Sequence, residues 1–209
     1  MEGGALDANC FYFNHDQVNN HHPYLSTGKI LSDKQCDTII EGAKDWAAPI
    51  IHGTGMQNES YTNTEIGHCY VNEEWIWLYD HLTLAARDLN RTAWQFQVTG
   101  TFECIDIIKY TAPGGGMKWH HDLHTGGPST AARKLNMIVQ LSDPDDYEGG
   151  ELQMFCPGWG NDNDGEIFTV PKDRGIMYVM PTYIYHRVQP VTQGVRHSLV
   201  TYCHGHHFQ

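Results

Sequence analysis

The chain lacks several features that would place it in a class at once. Its six cysteines are widely scattered and form no CxxC pair, and its N-terminus has neither the basic nor the apolar region of a signal peptide. No run of about 18 apolar residues is present, so no transmembrane helix is expected. These absences predict a soluble cytoplasmic protein from a reducing compartment, without a disulfide framework.

An excess of positive charge is also missing. Lys and Arg number 13 against 25 Asp and Glu, which gives a formal net charge of −12. This balance argues against a nucleic-acid-binding surface and leaves room for a neutral or basic peptide partner. A length of 209 residues without repeat or linker fits one domain. We expect a single domain over 1–209, with an N-terminal arm and supporting helices in 1–92 and a barrel in 93–205.

Two amphipathic helices are expected in the first half of the chain. Ser32 is a candidate N-cap for a helix over 33–46, and Asn72 is a candidate N-cap for a helix over 73–90. Apolar residues recur at helical spacing in both segments. Both helices are expected to be scaffold.

Beyond residue 92 the chain is rich in β-forming residues interrupted by Gly, Pro and Asp turn signals. Eight short strands are predicted: WQFQVTG, TFECIDIIKY, KLNMIVQL, GELQMF, EIFTVP, GIMYVMP, HRVQPV and RHSLVTYC. Eight short strands after two helices favour a mainly-β fold, namely a jelly-roll or cupin-like barrel with the helices on one outer face.

The segment KWHHDLH carries a candidate metal site. On or just beyond a strand, His120 and Asp122 would point to one side and His121 to the other. With His186 as third ligand, they form the two-histidine, one-carboxylate set of non-haem iron(II) oxygenases. An HxD pair alone more often marks a polar surface loop. A helical zinc pair of His120 and His124 is a further alternative, but glycines on both sides of the motif oppose a helix.

Arg196 follows His186 by ten residues. A 2-oxo diacid that chelates iron leaves a second carboxylate to be paired, and a guanidinium binds it through two parallel hydrogen bonds. Ser198 would share the inward side of the same strand. A non-catalytic cupin-like metal-binding barrel would have no need of Arg196, and a structural zinc domain would favour four ligands in a closed site. Both alternatives remain open at this point.

Three ordered motifs between residues 110 and 205 resemble a known family: YTAPGGGMKWHHD, RKLNMIVQLSDPDDYEGGEL and MPTYIYHRVQPVTQGVRHSLV. The segment is similar to the prolyl 4-hydroxylase-like 2-oxoglutarate/Fe(II)-dependent dioxygenases, including small bacterial and phage-type hydroxylases. The resemblance implies a double-stranded β-helix fold. It also implies iron bound by His120, Asp122 and His186, and Arg196 paired with the distal carboxylate of 2-oxoglutarate.

The resemblance implies further residues around the co-substrate. Tyr110 matches a tyrosine that lines its end of the pocket, Gln140 stands where some relatives use a tyrosine, and Asn136 precedes Gln140 on the same face. Two positions depart from the family pattern. A tyrosine often stands where this chain has Met117, and a tryptophan is usual where it has Tyr202.

The implied activity is hydroxylation of an unactivated C–H bond, with dioxygen consumed and succinate and carbon dioxide released. Ascorbate is a possible additional cofactor. A peptidyl proline is the expected substrate, and a free amino acid or another small molecule is the alternative. The N-terminal arm and the loop 156–165 are expected to contact substrate. The C-terminal HGHHF is expected to be a frayed tail, and no function is assigned to it.

Overall fold

The computed structural model of the protein describes residues 23–50, 58, 60–123, 131–156 and 165–206. Most of the N-terminal arm and of the loop 156–165, and also His124, lie outside the described residues. The described part contains two helices, α1 (Asp33–Gly42) and α2 (Ile76–Thr92), and neither has the length and hydropathy to cross a membrane. Its twelve strands are β1 (Leu25–Lys29), β2 (Lys44–Ala47), β3 (Tyr61–Thr62), β4 (Thr64–Cys69), β5 (Ile105–Thr111), β6 (Gly115–His120), β7 (Ala131–Gln140), β8 (Tyr147–Gly149), β9 (Leu152–Cys156), β10 (Glu166–Thr169), β11 (Ile176–Pro181) and β12 (Tyr185–His206).

The long strand β12 joins two antiparallel sheets. Its second half lies between β5 and β7 in a major sheet of order β1-β11-β7-β12-β5-β4-β2, and its first half pairs with β6, β8 and β9 in a minor sheet. Gly194 lies where β12 passes between the sheets, with φ of 76°. A Cβ there would come within 2.1 Å of the Asp146 carbonyl oxygen, so the crossing requires glycine.

The major sheet is buried on both faces. On β5, Ile105 and Ile107 pack against the helices, whereas Ile108 and Tyr110 face the barrel interior. This alternation follows from the two-residue period of a strand. The predicted mainly-β barrel with supporting helices is confirmed.

The start of α1 follows the predicted capping chemistry, whereas its end and the start of α2 differ from the prediction. Ser32 forms a capping box with Gln35 at the start of α1. The predicted end at residue 46 is wrong, because the chain leaves the helix at Gly42 and forms β2 against β4. A Cβ at Gly42 would lie 2.3 Å from the Trp75 ring. Asn72 Oδ1 accepts hydrogen bonds in the turn just before α2, so the regular helix starts three residues later than predicted.

The first of the eight predicted strands, WQFQVTG, is wrong. Asn90 in the last turn of α2 binds the backbone of Phe96, accepting from its N–H at 3.0 Å and donating to its carbonyl at 2.8 Å. Gln95 adopts a φ of 54°, which an extended strand does not allow. The segment therefore turns irregularly, and only Gly100 forms a bridge, with His204.

The other seven runs contribute strands, and the last two are both parts of β12. Residues 1–29 were expected to include one strand, and β1 lies there and pairs with β11. Strands β2, β3 and β4 were not predicted, yet β4 pairs with β5. The division of the chain at residue 92 stays a prediction. The expected frayed C-terminus is wrong up to His206, because β12 continues that far and His204 is only 4% exposed.

Candidate active site

Neighbouring strands bring the three predicted ligands together. His120 is the last residue of β6, and its register partner on β12 is His186. Side chains at paired positions of adjacent strands point to the same face, so the two rings meet inside the barrel. Asp122 follows two residues later, and its N–H donates to the Thr182 carbonyl at 2.9 Å. That bond ties the end of the HxD segment to the turn preceding His186.

The three side chains converge on one small volume. Asp122 Oδ1 lies 3.7 Å from His120 Nε2, and Asp122 Oδ2 lies 3.4 Å from His186 Nε2. The imidazole ring centroids are 4.1 Å apart. The three donor atoms all lie within 4.8 Å of one another, which is compatible with a single ion between them.

The backbone fixes the orientation of both imidazoles. His120 Nδ1 lies 2.8 Å from the Lys118 carbonyl, and His186 Nδ1 lies 3.1 Å from the Ile184 carbonyl. A carbonyl can only accept, so both Nδ1 atoms donate and both Nε2 lone pairs face Asp122. Burial, together with the neighbouring His186, lowers the pKa of His120 to about 4. The ring is therefore neutral at neutral pH, as metal binding requires.

Asn136 holds the carboxylate from the other side. Its Nδ2 donates to Asp122 Oδ2, and the residue is fully buried on β7. Burial by itself would raise the pKa of Asp122, but His186, His120 and the charge of Arg133 outweigh it and hold that pKa below its ordinary value. The carboxylate is therefore ionised and aimed at the two imidazoles.

A buried arginine lies in the same cavity as the ligand triad. Arg196 is 1% exposed and is the register partner of Tyr110, whose ring centroid lies 5.2 Å from the guanidinium carbon. Its Nη2 donates to Gln140 Oε1 at 2.9 Å, and its Nη1 lies 3.5 Å from Ser198 Oγ. Its Nε has no hydrogen-bond partner among the described residues. Burying a guanidinium costs several kcal/mol unless an anion pairs with it.

The lack of a side chain at Gly150 leaves room for the Arg196 side chain. With φ of 65°, Gly150 approaches the Arg196 side chain so closely that a Cβ would lie 3.0 Å from Cδ and 2.9 Å from Val191 Cγ2. The backbone at Gly150 therefore packs directly against the Arg196 side chain.

The triad and the arginine line one cavity of the barrel. Its lining includes all but one of the eight site residues predicted from sequence: Tyr110, His120, Asp122, Asn136, His186, Arg196 and Ser198. Gln140 does not line it but holds Arg196. A 2-oxo diacid fits this donor set, since the triad can hold a metal with open positions and the guanidinium can pair a second carboxylate.

Tyr61 is a lining residue that the sequence did not indicate. It lies on the two-residue strand β3, where its register partner is Met117. Burial, and then the charges of neighbouring groups including Asp122, raise the pKa of Tyr61, so its phenol stays protonated. Tyr61 thus brings a tyrosine beside the position where relatives often carry one and this chain has Met117.

An ion-pair network lies beside Tyr202, which lines the cavity. The Arg133 guanidinium carbon lies 3.7 Å from the centroid of the Tyr202 ring, and Arg133 pairs through two nitrogens with Glu103. Glu103 also accepts from His204 Nε2 at 2.7 Å. The position of Tyr202 therefore depends on an ion-pair network that the spacing of the motifs could not reveal.

The chain resembles characterised families in both sequence and fold. Residues 105–204 match the family described as the 2OG-Fe(II) oxygenase superfamily. That match covers slightly less than half of the chain. A PKHD-type hydroxylase of Pseudomonas fluorescens is 36% identical over 93 residues, which are 43% of this chain and 38% of that protein. The chain thus spans about two fifths of the length of this curated relative.

Solved structures share the double-stranded β-helix fold of this chain. A viral collagen prolyl hydroxylase of Paramecium bursaria Chlorella virus-1 superposes with a TM-score of 0.63 at 18% identity, covering 90% of this chain and 99% of that one. A Pseudomonas putida prolyl-4-hydroxylase gives 0.62 at 16% identity, covering 87% and 92%. A Trichoplax adhaerens prolyl hydroxylase, solved with a hypoxia inducible factor peptide fragment, gives 0.64 at 12% identity, covering 90% and 87%.

The helical zinc alternative receives no support in this barrel. His120 ends a strand, and residues 121–123 are not helical. The sequence interpretation therefore differs from the structure in several strands and helix ends, whereas the three predicted metal-ligating side chains do come together.

Proposed function

We propose that this chain is an iron(II)- and 2-oxoglutarate-dependent hydroxylase, and that a peptidyl proline is its substrate. His120, Asp122 and His186 would hold the iron, and Arg196 would bind the distal carboxylate of 2-oxoglutarate. When bound, iron supplies the activation of dioxygen that converts 2-oxoglutarate to succinate and carbon dioxide and hydroxylates a C–H bond.

The observation that carries the proposal is the buried guanidinium in the same cavity as the triad. Arg196 has an unpartnered Nε and no carboxylate bound among the described residues. A purely metal-binding barrel gives no reason to bury such a charge, whereas a dianionic co-substrate does. Gln140 and Ser198 would orient the Arg196 guanidinium. The protonated Tyr110 phenol would be a further hydrogen-bond donor close to it.

Other residues of the chain keep the site ordered. The carbonyls of Lys118 and Ile184 hold the imidazoles, and Asn136 holds the carboxylate. Ile138, Leu152 and Val188 add apolar surface to the walls of the cavity. Such a pre-oriented cavity would confine a reactive oxidant to the bound substrate.

A peptide substrate is supported by the names of the structural relatives, three of which are prolyl hydroxylases and one of which was solved with a peptide. Exposed aromatic residues follow β11, with Tyr183 45% and Tyr185 48% exposed. The net charge of −12 suits a neutral or basic segment.

The test is a turnover assay with iron(II), 2-oxoglutarate and dioxygen, run with and without ascorbate. Proline-containing peptides and free proline are compared for gain of one oxygen atom, and succinate is quantified in the same samples. We expect one succinate per hydroxylated peptide and none above background for Asp122→Ala. Hydroxylation of free amino acids alone would replace the peptide assignment by the small-molecule alternative, and absence of succinate in every case would favour a non-catalytic barrel.

A further inference from the structure

A second group of metal-ligating side chains lies outside the triad. His68 on β4 is the register partner of Asp106 on β5, and Cys104 precedes Asp106 by two residues. Their donor atoms all lie within 4.8 Å of one another. His68 and Asp106 are 29% and 32% exposed, so the cluster is open to ions from solvent.

The spacing of these donors matches tetrahedral zinc coordination. With Zn–S near 2.3 Å and Zn–N near 2.0–2.1 Å, sulfur and nitrogen ligands are separated by about 3.6 Å across a tetrahedral angle. Cys104 Sγ lies 3.6 Å from His68 Nδ1 and 3.4 Å from Asp106 Oδ1. His68 Nδ1 and Asp106 Oδ1 are hydrogen-bonded at 2.8 Å, and a modest opening of that pair would admit the ion.

The charge of the cluster also favours a cation. Among the described residues, no lysine or arginine forms an ion pair with Asp106, whose carboxylate is hydrogen-bonded to His68 and to the Cys104 thiol. A thiolate ligand selects zinc over the hard ions that prefer oxygen, whereas the triad offers only nitrogen and oxygen.

We propose that His68, Cys104 and Asp106 form a zinc(II) site separate from the triad, with the fourth coordination position open to water. The site joins β4 to β5 on the side of β5 that faces the barrel interior, two residues from Ile108. It stands independently of the proposed hydroxylase activity, because none of its three residues belongs to the triad or the arginine end.

The test titrates the full chain carrying Asp122→Ala, which disables the triad, with cobalt(II) as a spectroscopic substitute for zinc. A near-ultraviolet thiolate-to-cobalt charge-transfer band would report a cysteine ligand, which neither the triad nor the C-terminal histidines can supply. We expect one cobalt per chain with this band, and its loss when one equivalent of zinc(II) is added.

Adding Cys104→Ser to this background should abolish the band, and adding His68→Ala should weaken cobalt binding at least about tenfold, since even groups one contact removed from a metal cost 10–100-fold. Cys156→Ser is the matched control, because Cys156 is also partly exposed but lies outside the cluster, and it should leave the band unchanged. His68→Ala tests the site without altering a cysteine, should Cys104→Ser fail to fold. No band in the Asp122→Ala chain, or a band that survives Cys104→Ser, would overturn the proposal.

Discussion

The two ends of the barrel cavity are built in different ways. The triad end takes its side chains from β6, β12 and the residues just after β6, and each donor is held by a second group, namely a carbonyl or Asn136. The arginine end depends on one long side chain that is held by Gln140 and Ser198 and retains an unpartnered Nε. At the triad end each ligand side chain is held by a group of the protein, whereas at the other end the Arg196 Nε has no partner among the described residues.

The two ends should therefore contribute to the binding of different ligands. A pre-oriented triad can accept an ion with little rearrangement, so metal affinity should depend on the triad and on the groups that orient it. The arginine end gains its missing partner only when an anion enters, so its contribution should appear in co-substrate affinity. Substitutions at the two ends should therefore separate iron binding from 2-oxoglutarate binding.

The largest effect is expected for Asp122→Ala. Loss of the carboxylate removes one of three ligands, and we expect iron(II) affinity to fall more than about 100-fold. Removing a group that only hydrogen-bonds a ligand already lowers metal affinity about 10–100-fold. Turnover should disappear while the fold persists. Anaerobic equilibrium dialysis and circular dichroism measure the two quantities.

His121→Ala is the matched control for Asp122→Ala. His121 is the exposed neighbour of both ligands and contacts the Tyr185 ring, with centroids 5.1 Å apart. Iron affinity should be unchanged. Loss of iron in this variant, or retained turnover in Asp122→Ala, would shift the ligand assignment.

At the other end, Arg196→Ala should raise the 2-oxoglutarate requirement and leave iron bound. Removing one partner of a buried charge pair costs about 2–5 kcal/mol, which corresponds to roughly 30- to 4000-fold in affinity. Steady-state succinate formation against 2-oxoglutarate concentration measures the change.

Arg196→Lys keeps the charge without the planar fork and should fall between the wild type and Arg196→Ala. Arg87→Ala, on the exposed face of α2, should have no effect. An unchanged requirement in Arg196→Ala would mean that another cation holds the carboxylate.

A smaller effect, confined to the triad end, is expected for Asn136→Ala. Losing the hydrogen bond that aims Asp122 should weaken iron binding about 10–100-fold, with the 2-oxoglutarate requirement measured at saturating iron little changed. Gln140→Ala should show the reverse pattern, because Gln140 contacts Arg196 and not the triad. Equal effects of the two variants on both ligands would remove the distinction between the ends.

The smallest effect is expected on stability, from Glu103→Gln. Burial would raise the pKa of Glu103, but hydrogen bonds from His204 and Arg133 outweigh it and lower that pKa from 4.5 to about 2. A depressed folded-state pKa stabilises the native protein above about pH 4.5, and the contribution is lost as the pH falls toward 2. We expect Glu103→Gln to lower the free energy of unfolding by about 1–2 kcal/mol at pH 7, a value kept small because the carboxylate is partly exposed.

Urea unfolding at pH 7 and pH 3 tests this pH dependence, because the difference in the free energy of unfolding between Glu103→Gln and the wild type should shrink at the lower pH. Glu65→Gln is the control, since Glu65 pairs with Lys109 at a more exposed position, and its effect should stay below about 0.5 kcal/mol. A difference that grows on acidification would contradict the account of Glu103.

The sequence predicted the barrel class and the residues that meet in its cavity because those residues follow short-range rules. His120 and Asp122 are two apart at the end of a strand, and Arg196 and Ser198 are two apart within one. The one long-range step, bringing His186 to His120, came from the ligand chemistry and the family resemblance.

The residues that sequence reasoning missed are joined by strand pairing that no local pattern encodes. Tyr61 reaches the cavity only because β3, two residues long, pairs with β6 at Met117. Glu103 and His204 are far apart in sequence and meet through the irregular segment that replaced a predicted strand. That segment turns because Asn90 binds Phe96, a side-chain effect that β-propensity does not include.

The most direct test of the central claim is an anaerobic titration of the protein with iron(II) and 2-oxoglutarate, followed by visible absorption. Chelation of the 2-oxo acid at the triad, with its far carboxylate on Arg196, predicts a weak metal-to-ligand charge-transfer band that saturates at one iron and one 2-oxoglutarate per chain. The band should be absent in Asp122→Ala and should require much more 2-oxoglutarate in Arg196→Ala. A wild-type protein that binds iron but never develops the band would contradict the assignment.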